Sequence, residues 1–164
     1  SCGRYRFRLT RTLGDERKSC CFIMLNPSTA DHEQDDPTIR RCMGYARAWG
    51  CGTLLVVNLF AWRTSSPDEL KKLARDERHF DIEGAQHNRH HITHCVMDAW
   101  MDKGPVVCAW GTDGRLKDAD LYALKLVRKW TQPTALKVTK HGDPSHPLYL
   151  SKTLVPIPYA GRAA

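Results

Sequence analysis

Apolar and polar positions alternate along this chain in two textures. Residues 20-CCFIML-25, 53-TLLVVN-58 and 106-VVCAW-110 are nearly uninterrupted apolar runs, as expected of strands covered on both faces. Between them apolar residues return at helical spacing. Asp36-Pro37 reads as an N-cap followed by proline at the first helical position; Ile39, Cys42 or Met43, Ala46 and Trp49 then mark one face, and Gly50 stops the helix. Ser66-Pro67-Asp68-Glu69 predicts a capping box for a second helix. A longer helix is expected over about 83–102, broken by Gly104-Pro105, and a fourth near 118–130 with Ala119, Tyr122, Leu126 or Val127, and Trp130. Residues 135-ALKVT-139 give a last short strand. At the other end, 4-RYRFRLTRTL-13 alternates arginine with Tyr5, Phe7 and Leu9, a period-two strand with one basic face, and Gly14-Asp15 is the turn after it.

Strands alternating with amphipathic helices predict an α/β fold: a three-layer α/β/α sandwich around a mostly parallel central sheet, with residues 1–164 as a single domain. In such sheets ligands bind at the carboxyl ends of the strands. Four segments fall there: Asn26 onward, Asn58 onward, Gly111 onward, and 140-KHGDPSHPLYL-150.

Charge and cysteine content narrow the setting. Lys plus Arg outnumber Asp plus Glu by 25 to 18, a surplus that favours a polyanionic partner. The seven cysteines are scattered with no CxxC pair, which suits reduced thiols and a cytoplasmic location better than a disulfide framework; Cys20-Cys21 read as core. No apolar stretch approaches the ~20 residues of a membrane span, so a soluble chain with no membrane partner is expected, most simply a monomer.

Against the basic background, Asp31, Glu33, Asp35 and Asp36 form an acidic cluster shortly after Asn26-Pro27. A carboxamide at a strand end is an uncharged donor and acceptor pair, able to hold a water or match the edge of a heterocyclic base. Taken singly, Asn26 and Asn58 are each better explained as chain-turning residues. His146, stiffened by Pro147, could donate to an oxygen gaining negative charge; alone it is simply a loop histidine. In 87-HNRHHITH-94 the histidines recur at i,i+4, a spacing that can bind zinc, but a polar helix face is the preferred reading and no metal is expected.

In combination these elements resemble the uracil-DNA glycosylase superfamily. Asn-Pro follows a buried strand, Leu-Leu-x-x-Asn ends the next, Val-Val-x-x-Trp-Gly forms a third, and a His-Pro-Leu loop comes late, in matching order over roughly residues 19–151. Met24-Leu25-Asn26-Pro27-Ser28 is similar to the Gly-Ile-Asn-Pro-Gly motif of the mismatch-specific uracil/thymine branch, and 59-LFAWRTSSPDEL-70 to that branch's Arg-containing loop and helix. The string FIMLNPSTAD with DDPTIRR also resembles an uncharacterised bacterial family. The superfamily resemblance implies a monofunctional DNA glycosylase without cofactor, acting on uracil or another altered base in single- or double-stranded DNA. It implies that Asn26 positions the attacking water and that His146 stabilises the departing base; Asp31 or Asp35, outside the family pattern, would orient water or read a base amine. Asn58 would read the base, with Pro27 and Ser28 beside it, and Phe60 or Trp62 would have to substitute for the family's stacking aromatic. Arg63 and Lys140 would meet phosphates, with Leu148 or Leu150 as the wedge that fills the emptied stack. The chain departs from the pattern where Met24 and Ser28 replace glycines, where no aromatic other than His32 stands between Asn26 and Tyr45, and where the second proline of His-Pro-Ser-Pro is missing. Two other readings stay open: a metal-dependent hydrolase of nucleosides or nucleotides, with a metal in the acidic loop, and a non-catalytic nucleic-acid-binding module.

Overall fold

The computed structural model describes residues 3–28, 35–64, 66–75 and 82–162. The described elements run in the order β1 (Leu9–Thr12), β2 (Ser19–Met24), α1 (Pro37–Ala48), β3 (Thr53–Asn58), α2 (Pro67–Arg75), α3 (Ile82–Met101), β4 (Val106–Cys108), α4 (Ala119–Val127), β5 (Thr134–Ala135) and β6 (Ile157–Pro158). Short 3-10 segments lie at Thr112–Asp118 and Pro147–Tyr149. The strands form one six-stranded sheet in the order β1-β3-β2-β4-β5-β6.

The sheet is mixed. β3–β2, β2–β4 and β4–β5 pair parallel, whereas β1 on β3 and β6 on β5 pair antiparallel. The expectation of a mostly parallel sheet therefore describes its centre and not its edges. A parallel neighbour needs a crossover of a dozen or more residues, usually helical. The link from β5 to β6 carries only a 3-10 turn, and its strand returns antiparallel.

β2 sits between two parallel neighbours and all six of its residues are buried. Alternate side chains feed opposite cores. Cys21 and Ile23 join Leu55, Val57, Cys95, Val96 and Leu124 beneath α3 and α4, while Cys20, Phe22 and Met24 join Leu54, Val56, Ile39, Cys42 and Tyr45 beneath α1. Phe22 stacks against Trp49 with ring centroids 5.8 Å apart. Burying one such side chain contributes about 1.5–3 kcal/mol.

The helix ends follow the sequence signals. Asp36 caps α1, its Oδ1 accepting from the Ile39 amide at 2.8 Å, with Pro37 behind it; Gly50 follows at φ 68°. At α2, Ser66 Oγ accepts from the Glu69 amide at 3.3 Å as expected, but the other half of the box is rerouted. Thr64 Oγ1 accepts from the Ser66 amide at 3.0 Å and donates to the Glu69 carboxylate. Gly104 is required by close approach, since a Cβ there would lie 1.7 Å from the Ser19 carbonyl oxygen.

Three elements depart from expectation. The strand expected over 4–13 makes a ladder only over Leu9–Thr12; upstream the chain runs on beside the loop after β3, where Tyr5 bridges Trp62 and the Arg6 amide donates to the Ala61 carbonyl at 2.9 Å. The strand expected over 135–139 is two residues, since Lys137 and Thr139 turn their backbone groups to Ser145 and Asp143. β6 carries no sequence signal of comparable length. Among the described residues no helix is long and apolar enough to cross a membrane.

Candidate functional site at the carboxyl edge of the sheet

The parallel pairing of β2 and β3 does not stop where the strands do. Met24 lies opposite Asn58; beyond them Leu59 donates to the Met24 carbonyl at 2.9 Å, Phe60 to Leu25 at 2.9 Å, and Thr64 to Pro27 at 3.0 Å. The loops after both strands are thus laced together, and Asn26 is caught in the lacing. Its Nδ2 donates to the Thr64 carbonyl at 2.6 Å and to the Pro27 carbonyl at 3.2 Å. Two carbonyl partners fix which end of the amide is nitrogen, so Oδ1 is left as a pure acceptor.

Asn58 ends the neighbouring strand at 1 % exposure, and its Oδ1 is buried without a donor among the described residues. Its main-chain carbonyl is held from α3, where Asn88, itself 4 % exposed, donates through Nδ2 to the carbonyls of Asn58 at 2.9 Å and Leu59 at 3.0 Å. The Asn88 Oδ1 is also buried and unpartnered among the described residues. A buried acceptor without a donor costs about 1–3 kcal/mol, so two at one place make this edge a candidate site. Sequence reasoning missed Asn88. The signal was its position on the stripe Asn88, Ile92, Cys95, Val96 and Ala99, the buried face of α3.

His146 reaches the same edge on a loop pinned from three directions. Gly111 donates to the Pro144 carbonyl at 2.9 Å, Arg115 grips Asp143 through two bonds of 2.8 and 2.9 Å, and the Tyr159 hydroxyl donates to the Gly142 carbonyl at 2.9 Å. The His146 Nδ1 accepts from the Leu148 amide at 3.4 Å. A neutral imidazole accepting at Nδ1 carries its proton on Nε2, where it is a donor. The residue is exposed at its rim, yet enough protein surrounds the ring to push its pKa below the ordinary histidine value, with Asp36 pulling the other way.

The acids divide. Asp36 caps α1 and accepts from the Ser28 hydroxyl, and Asp35 pairs with Arg11 at 2.8 Å. Both are committed inside the fold. Asp31 and Glu33 lie outside the described residues.

The other expected site residues are placed less uniformly. Pro27 is buried in the lacing, and Ser28 spends its hydroxyl proton on Asp36. Phe60 is 7 % exposed within the core beneath α3, so it offers no open stacking face. Leu148 and Leu150 are half-buried, and Leu150 packs on the core beneath α1. Arg63 is half-buried after β3 and Lys140 is exposed after β5; those strands stand three sheet spacings apart, about 14 Å. Two arginines of the first strand are taken up structurally, Arg8 with Asp98 at 3.3 Å and Arg11 with Asp35. On α3, His91 stacks on Phe7 at 5.3 Å, and His90 faces His94 with Nε2 atoms 2.9 Å apart. Among the described residues no group of three or more His, Cys, Asp or Glu could hold a metal ion. Cys21, Cys42 and Cys108 are buried thiols whose pKa burial pushes up, as core residues behave.

A family model described as "Protein of unknown function (DUF1643)" matches residues 6–148. The chain belongs to this family. The DUF1643 match takes in Asn26, Asp36, Asn58, Asn88 and His146, and ends one residue before Tyr149. No curated protein and no solved structure matches the chain.

Proposed function

We propose that this DUF1643 protein hydrolyses the N-glycosidic bond of uracil or another altered base in DNA, on a three-layer fold of the uracil-DNA glycosylase kind. The observation that carries the reading is the pair of carboxamides at the ends of β2 and β3. Asn26 offers a bare acceptor because its donor is consumed, and Asn58 holds a buried oxygen that meets no donor among the described residues. A nucleobase presents N–H groups along its edge and would satisfy the second once the chain covering it gives way; a water would donate to the first. Helices packed against both faces of a sheet with a parallel centre support the fold part of the proposal.

Breaking the C1′–N bond sends its electron pair to the base and leaves oxocarbenium character at C1′. His146, with Nε2–H free to donate, stabilises the anion on the departing base. A water held by the Asn26 oxygen adds to C1′, and the proton it releases neutralises the base. The base must leave the helix to meet Asn26, Asn58 and His146.

The test is abasic-site formation on labelled oligonucleotides carrying uracil, mispaired thymine, hydroxymethyluracil or hypoxanthine, in single and double strands with EDTA present. Asn26→Ala and His146→Ala should each slow excision on the order of a hundredfold or more. Absence of excision across the panel rejects the proposal; activity restored by magnesium on free nucleotides would favour a nucleotide-directed hydrolase.

A further inference from the structure

A groove of about 430 Å³ runs between α1 and the segment after His146. Arg40, Arg41, Gly44, Tyr45, Leu148 and Lys152 line it, and no acidic residue does among the described residues. Arg40 donates to the Asp35 backbone carbonyl, while Arg41 and Lys152 have no hydrogen bond or ion pair among the described residues. Three cations on one groove, with no carboxylate among its described lining residues, hold a positive field that attracts a polyanion. Asp35 and Asp36, just before α1, are spent on Arg11 and on the α1 cap.

Tyr149, 90 % exposed, directly follows Leu148, which lines the groove. An aromatic ring so open gains nothing from the fold. Its neighbours Leu148 and Leu150 are both half-buried, so Tyr149 is the residue of this turn that projects. Along α1, Gly44 leaves open space: a Cβ built there meets nothing within 4 Å.

We infer that this groove seats the phosphates of a single-stranded or locally unpaired nucleic-acid strand, and that Tyr149 stacks on one of its bases. The inference rests on the proposed function for its choice of nucleic acid and deepens it. It moves phosphate contact to Arg40, Arg41 and Lys152, and the wedge from the leucines to Tyr149. Base–aromatic stacking tolerates any sequence, as an enzyme that searches for a rare base requires.

The experiment measures fluorescence anisotropy of a labelled single-stranded oligonucleotide with no excisable base, and of the same sequence as a duplex, across a salt series. Arg41→Ala with Lys152→Ala should weaken binding of every sequence and flatten the log–log salt slope by about 1.4, because each phosphate neutralised on a single strand contributes ~0.7 to that slope. Gly44→Glu, which adds charge and bulk to the groove where there is room for it, should also weaken binding while circular dichroism and melting remain those of the parent. Tyr149→Ala should cost about tenfold in affinity for the single strand, and Tyr149→Phe should restore it, because the ring and not the hydroxyl stacks. Unchanged affinity and slope in the double variant, or equal binding by Tyr149→Ala and its parent, overturns the inference. Because the probe cannot be excised, absence of this binding pattern with excision intact refutes the groove alone. Intact binding without excision refutes the enzymatic reading and leaves the groove standing.

Discussion

At the scale of single residues the site is a set of amides and one imidazole whose hydrogen bonds decide what each can do. Asn26 is the sharpest case. Replacing it with aspartate would set a carboxylate oxygen where Nδ2 now donates, 2.6 Å from the Thr64 carbonyl. Asn26→Asp should therefore cost about 1–3 kcal/mol in urea unfolding instead of sharpening catalysis. Asn58 behaves in the opposite way. Its Oδ1 is buried and meets no donor among the described residues, so Asn58→Leu should leave stability unchanged or raise it by about 1 kcal/mol while excision is lost, a divergence that a purely structural asparagine would not show. His146 adds a pH signature. Its pKa in the folded protein lies below that of the unfolded chain, so it stays neutral to lower pH than a free histidine. Between the two pKa values the unfolded chain binds more protons, and the residue's contribution to stability rises with pH through that window. The acid limb of the excision rate should accordingly fall below the ordinary histidine range and disappear in His146→Ala. Asn26, Asn58 and His146 were legible as residue types at strand ends. Their hydrogen-bond states were not, because Thr64, Leu148 and Asn88 reach them from 38, 2 and 30 positions away.

Elements carried the strongest sequence signals and also the clearest misreadings. α1 was legible at both ends because a cap, a proline and a terminal glycine are local chemistry. The acid that caps it does two further jobs that no local rule foretells: it receives the Ser28 hydroxyl and biases His146. Asp36→Ala should lower stability by about 1 kcal/mol, with Asp36→Asn retaining most of it, as expected of a cap. The histidine pKa should drop further in either variant, measured by NMR titration, since the carboxylate now pulls it up. The edges resisted reading because pairing there depends on partners distant in sequence: Arg4, Tyr5 and Arg6 bond to residues 61–63 of the loop after β3, and 137–139 fold back on 143–145. Gly104 shows a glycine whose reason is invisible locally. Gly104→Ala should cost about 1–3 kcal/mol through its collision with the start of β2, read as a fall in the denaturation midpoint.

For the whole molecule, the alternation of buried strands and amphipathic helices was enough to give α/β, while strand order was not. That order has a consequence during synthesis. β2 takes β3 as one neighbour from nearby in the chain, but its other neighbour, β4, begins about eighty residues after β2 ends. At ribosomal speed the growing chain carries the open edge of Cys21, Phe22 and Ile23 for on the order of ten seconds before Val106–Cys108 arrives to cover it. An uncovered apolar strand edge is a template for joining other chains. A nascent chain stalled before Val106 should therefore be the most chaperone-dependent and aggregation-prone form of this protein, and its yield should depend more on elongation rate than on the stability of the finished fold.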